Sequence, residues 1–230
     1  MTKMTLQEFQ DELHWAYQGD EDTPESSPVS SEWTSRLRGL KMAIREWASE
    51  KGITWSELWT TLTQSATGDK TILAATLAYD CPDDFSFPGG FVTVGTSFWK
   101  VLKAEKAALY ANESMQVVYF TGNASSGYVL NFLQQPTVGD TINYPYYKRP
   151  ATPSATTDVI EMSDPLFAIY HVLSKMHEID GEGDRAIKAL RQAGAKMDGM
   201  RTANIMPAFL QDNAIQDRQQ DGEGADGFGG

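Results

Sequence analysis

Apolar residues spaced three and four apart open the chain. Leu6, Phe9, Leu13 and Tyr17 share one face of a helix predicted over residues 5–18, and Thr5 with Glu8 fits a capping box. Residues 19–30 then turn polar, with Pro24, Pro28 and four acids, which reads as a tether. The first helix is therefore expected to be detachable and to dock on a neighbour through Phe9 and Leu13. Removing residues 1–30 is expected to leave the fold intact and weaken assembly.

A second helix is predicted over residues 31–51, where Trp33, Leu37, Leu40, Ile44 and Trp47 form an apolar stripe that Gly52 ends. Thr54 with Glu57 suggests another capping box, opening a shorter helix through Trp55, Leu58, Trp59 and Leu62 to Gly68. The two would make a helical hairpin with an aromatic seam. Trp33, beside the tether, and Arg36 one turn later are the predicted partner contacts, because Trp and Arg are enriched among binding hot spots.

Past Gly68 the period changes to β-branched and aromatic runs at 71–77, 90–94, 98–102, 115–121, 127–133 and 141–148, separated by Gly, Pro, Asn and Asp. Such spacing predicts an antiparallel sandwich or small barrel. Residues 103–111 suit a short helix. Pro150 and Pro153 bracket a loop, after which Pro165 opens a helix with Leu166, Ile169, Tyr170, Leu173 and Met176 as its stripe. A last helix over 184–200 is read with Ile187, Leu190 and Met197 inward and with Gly194 and Gly199 as flaws.

The pattern gives an α+β class: a helical bundle of N- and C-terminal helices with an inserted antiparallel β-sandwich or barrel-like domain. Five segments follow, at 1–30, 31–68, 69–150, 151–205 and 206–230. The last is rich in Gln, Asp and Gly, and its Met206, Phe209 and Leu210 read as a short partner-binding segment.

Net charge is −12 and unevenly placed. Residues 1–30 carry seven acids against Lys3 (−6), residues 207–230 carry five against Arg218 (−4), and −2 is left for the middle. Binding nucleic acid by neutralising phosphates is thereby disfavoured. The single cysteine, Cys81, allows no intrachain disulfide, and no apolar run is long enough to span a membrane, so a cytosolic product with no membrane partner is expected.

Candidate chemistry is sparse. His14, His171 and His177 lack metal-ligand spacing, and Cys81 has no neighbouring base to activate it, which leaves it the role of filling an apolar slot. Asp83-Asp84 and Asp11-Glu12 suit a turn and a helix surface, and no glycine pattern matches a phosphate-binding loop. No catalytic residue, metal or cofactor is expected.

Three elements in a fixed order carry a resemblance: Tyr79-Asp80-Cys81-Pro82-Asp83-Asp84-Phe85, then Tyr128-Val129-Leu130-Asn131-Phe132, then Tyr146-Tyr147-Lys148-Arg149-Pro150. With a Trp-bearing helix before them and a helical stretch after, the chain resembles the head-to-tail adaptors of tailed bacteriophages, the connector or neck family of tail tubular and gateway proteins. The likeness covers residues 31–200, and Cys81 stands where that family usually has leucine. It implies a structural virion protein of the neck, made in the host cytoplasm. Its partners would be the portal, a tail, nozzle or stopper protein, and further copies in a ring, commonly twelvefold in that family. Genome DNA would pass through the lumen without sequence-specific binding. A soluble β-sandwich enzyme or carbohydrate-binding module, using aromatics as its platform, is the alternative.

Overall fold

The computed structural model describes residues 3–19, 24, 30–64, 70–110 and 115–204. Its helices gather around one apolar cluster and most of its strands around a second, which makes the fold mixed α and β, consistent with the α+β class.

Helix α1 (Leu6–Gln18) starts at the expected capping box, in which the Thr5 hydroxyl accepts from the Glu8 N–H and the Glu8 carboxylate accepts from the Thr5 N–H. Leu6, Phe9 and Leu13 are fully buried in the chain's own helical cluster. The backbone ties them there: the Leu6 N–H donates to the Asp158 carbonyl at 2.8 Å, and the Ile160 N–H donates to the Met4 carbonyl at 2.9 Å. This corrects the expectation of a detachable helix. Burying one such side chain is worth about 1.5–3 kcal/mol, and three of them rival a domain's whole net stability of about 5–15 kcal/mol. Most of the expected tether lies outside the described residues.

Helix α2 (Ser31–Ala48) is capped by the Ser30 hydroxyl, which accepts from the Trp33 N–H at 3.1 Å, and it ends four residues before Gly52 can act as its stop. It packs on α4 (Leu166–Ile179). A Cβ at Gly39 would lie 2.9 Å from Val172 Cγ1, so glycine is what admits this close crossing. Helix α4 is buried on more than the predicted stripe. Phe167, Ala168, His171, Val172, Ser174 and His177 are also enclosed, because α1 and α2 pack against it as well as α5 (Gly183–Ala203).

The shorter helix predicted over 54–68 is absent from its described part. One 3₁₀ turn, Ser56–Leu58, leads into strand β1 (Trp59–Thr61). An aromatic residue followed by two threonines favours a ladder, and its partner is supplied from far along the chain by β10 (Pro145–Lys148), in the register Trp59–Tyr147 and Thr60–Tyr146. The side chain of Asn204 fixes the turn, accepting from the Ser56 N–H at 2.8 Å and donating to the Thr54 carbonyl at 2.7 Å.

A three-stranded sheet has the order β1-β10-β4, where β4 is Phe85–Pro88. The other strands are β2 (Lys70–Thr71), β3 (Ala78–Asp80), β5 (Val92–Val94), β6 (Ser97–Leu102), β7 (Val117–Asn123), β8 (Gly127–Phe132) and β9 (Thr141–Asn143). They form a seven-stranded sheet in the order β2-β9-β5-β6-β7-β8-β3. Its edge strands are tied together, because the Lys70 ammonium donates to the Asp80 carbonyl and the Leu73 N–H donates to the Tyr79 hydroxyl at 2.9 Å. The sheet therefore curls almost into a barrel.

Two β expectations need correcting. Of the strand read at 71–77 only Thr71 lies in a strand; Ile72 still bonds to the backbone of Gly139 and Asp140, and the chain then turns at 74–75, with Ala75 at φ 57°. The sheet is not purely antiparallel, since β6 runs parallel to β7 across a connection that contains the short α3 (Ala104–Ala107).

Candidate functional site

The three elements that carry the resemblance meet around Phe85. Its ring centroid lies 5.0 Å from that of Phe120, 5.2 Å from Tyr128 and 5.5 Å from Tyr146, and the Tyr146 hydroxyl donates to Asp84 at 2.9 Å. Consecutive strand residues point to opposite faces. Tyr146 accordingly enters the β cluster while Tyr147 enters the helical one. The Tyr-Tyr pair is the joint between the two halves of the molecule.

Cys81 fills a slot in the β cluster, where burial pushes its thiol up to about 11. Burial, with Cys81 alongside, also raises the Tyr144 hydroxyl well above its ordinary range. Both groups hold their protons at neutral pH, so neither is poised as a nucleophile or base.

The predicted partner-contact residues divide into two groups. Phe9, Leu13 and Trp33 are at most 1% exposed and belong to the chain's own core, which corrects their assignment to a surface contact. Arg36 is buried beside them, its guanidinium paired with Glu32 and its Nη2 lying 3.4 Å from His14 Nδ1. Met206, Phe209 and Leu210 lie outside the described residues.

The accessible apolar side chains are others. On α5 the inward line is Ala189, Ala193, Met197 and Met200, leaving Ile187 and Leu190 about half exposed, against the inward role predicted for them. Arg191 and Gly194 share that outer face, Lys188 flanks it, and a Cβ at Gly194 or Gly199 would meet nothing within 4 Å. On α1 the outer face carries Glu8, Asp11 and Glu12 and, one turn on, Trp15, which is 40% exposed. The sequence signal for α5 lay in its two interior glycines, which weaken a helix unless something approaches closely.

Aromatic residues mark the β half. Trp59, Tyr147 and Phe87 form one cross-strand row, with Phe87 stacked on Tyr147 at 4.7 Å and both row ends partly exposed. On the seven-stranded sheet Val92, Val94 and Trp99 turn inward, while Phe91 and Phe98 stand outward.

Two depressions accompany these surfaces. A cleft of about 220 Å³ beside the joint is lined by Ile53, Trp55, Phe87 and Tyr147. The cations on its rim are engaged: Lys148 pairs with Glu161, and Arg149 donates to the carbonyls of Asp83 and Ala124. A wider groove of about 530 Å³ runs between the end of α1 and the start of α5, with His177 in its wall and its Nδ1 2.7 Å from Glu182. Tyr17 donates to Asp180 there, and that bond raises the pKa of its hydroxyl. Among the described residues no group of three His, Cys, Asp or Glu side chains is placed to hold a metal, and no helix is long and apolar enough to cross a membrane. No family model matches the chain, and no curated protein matches it.

Proposed function

We propose that the chain is a structural virion protein, a head-to-tail adaptor whose copies form a ring between a portal and the tail components and enclose a conduit for DNA. The observation that carries this reading is the distribution of adhesive surface on a body with two cores. Ile187, Leu190 and Trp15 are exposed on the helical half, and Phe91, Phe98, Phe87 and Trp59 on the β half. A ring subunit that must also touch components above and below needs separate contact surfaces of this kind.

In this reading α1, α2, α4 and α5 form a helical bundle for neighbour and portal contacts. The barrel-like part inserted between α2 and α4 projects to a tail, nozzle or stopper protein. The acidic chain repels the DNA backbone, which lets the genome slide without sticking. Acidic termini also repel between copies, so the free protein is expected to be mostly monomeric and to close its ring on the portal as a template.

Light scattering and negative-stain imaging of the full chain, alone and mixed with a portal ring from the same genome, test the reading. One chain's mass alone and a ring seated on the portal are expected. Failure to bind any portal ring would count against it.

One observation favours a second reading. The exposed Trp59 and Phe87 at the ends of an aromatic row would suit stacking against sugar rings in a carbohydrate-binding module. Binding to a glycan array that Trp59→Ala abolishes would select that reading over the adaptor.

A further inference from the structure

Helix α5 is cationic within an acidic chain. Its Arg185, Lys188, Arg191, Lys196 and Arg201 stand against Asp184 and Asp198, a balance of +3 where the whole chain carries −12. Three of these cations are spent locally, Arg185 on Glu182, Lys196 on Asp164, and Arg201 on Glu50 and Asp198. Lys188 and Arg191 make no ion pair with any described residue. They border Ile187, Leu190 and the open Gly194.

The outer face of α1 is the complement of this surface. Asp11 and Glu12 are on it, with Glu8 held in the cap, and the exposed indole of Trp15 follows one turn on. Thirteen residues make α1 about 20 Å long, which matches the stretch of α5 from Asp184 to Asp198. An indole laid over Ile187, Leu190 and Gly194 would bury apolar area on both sides, and the carboxylates would meet Lys188 and Arg191 at the rim. Homotypic pairing of either face would set like charges together.

We propose that the Glu12–Trp15 face of α1 in one copy docks on the Ile187–Leu190–Arg191 face of α5 in the next. The inference rests on the ring reading and supplies its neighbour contact. The two faces lie on different helices that flank α4, with a groove between them. The contact is therefore heterologous and repeats from copy to copy, as a ring requires.

Variants of the full chain with one added cysteine test the contact, because both added positions are exposed and the native Cys81 is buried. Glu12→Cys and Arg191→Cys proteins are mixed at high concentration, with and without the portal ring, and treated with a short bis-maleimide. The expected product is a dimer containing one chain of each variant, absent from either variant alone and lost when the Glu12→Cys partner also carries Asp11→Lys. Rings that form on the portal without the mixed dimer, or equal coupling of each variant to itself, overturn this contact and leave the ring reading standing. Mixed dimers in a protein that never closes a ring leave the contact standing and overturn the ring reading. Coupling that appears only once residues 205–230 are deleted assigns the α5 face to that segment in the full chain and overturns the contact.

Discussion

Phe85 shows how one side chain can hold several separated stretches of sequence together. It is 1% exposed, and three aromatic rings have centroids within 5.5 Å of its own. Phe85→Ala should cost about 3–5 kcal/mol in urea unfolding, since the stacked neighbours cannot collapse into the space left behind. An unchanged midpoint would remove Phe85 from that role. His171 gives the fold a pH dependence of known sign. Burial lowers its pKa from the ordinary 6.5, against the pull of Glu46 3.6 Å away and with a smaller contribution from Lys175 in the same direction as burial. The unfolded chain thus takes up this proton more readily than the folded one. Stability from the neutral ring is present above pH 6.5 and is lost as pH falls below 6.5 through the depressed folded value. Thermal melts should show a shallower acid-side fall for His171→Gln than for the parent; parallel curves would contradict the assignment.

At the scale of elements, α1 behaves as part of the core. Deleting residues 1–30 should lower the unfolding free energy by at least about 4 kcal/mol, from the loss of Leu6, Phe9 and Leu13 alone. A truncated chain with the parent's denaturant midpoint would restore the picture of a tethered, detachable helix. The existence of α1, α2 and α4 was legible in the sequence because caps and apolar spacing are local signals. What those faces pack against was not, because an apolar stripe looks the same whether its own chain or a neighbour covers it. The Thr54–Glu57 pattern misled for a related reason: a local capping signal lost to a strand partner at Tyr146 and Tyr147, some 90 residues away. On α5 the first half of the inward line is alanine, Ala189 and Ala193, so the larger Ile187 and Leu190 drew the reading to the wrong face. The parallel β6–β7 pair left no mark at all, since alternation gives a strand its faces but not its direction.

For the whole molecule, two cores joined at Tyr146 and Tyr147 make a body whose halves present different surfaces. That division is the physical basis for proposing an adaptor, with helices meeting neighbours and portal and the barrel-like part meeting the tail. Of the proposed contact surface, the sequence exposed the acidic character of the N-terminal segment but hid the α5 face, because outward-facing apolar residues are read by default as core. Image reconstruction of the neck in tailed particles carrying this protein is the most direct measurement. The account predicts a ring of this chain directly beneath the portal, with α5 of each copy against α1 of the next and the barrel-like part toward the tail. Particles in which the chain is absent from the neck, or sits there as isolated copies outside any ring, would contradict it.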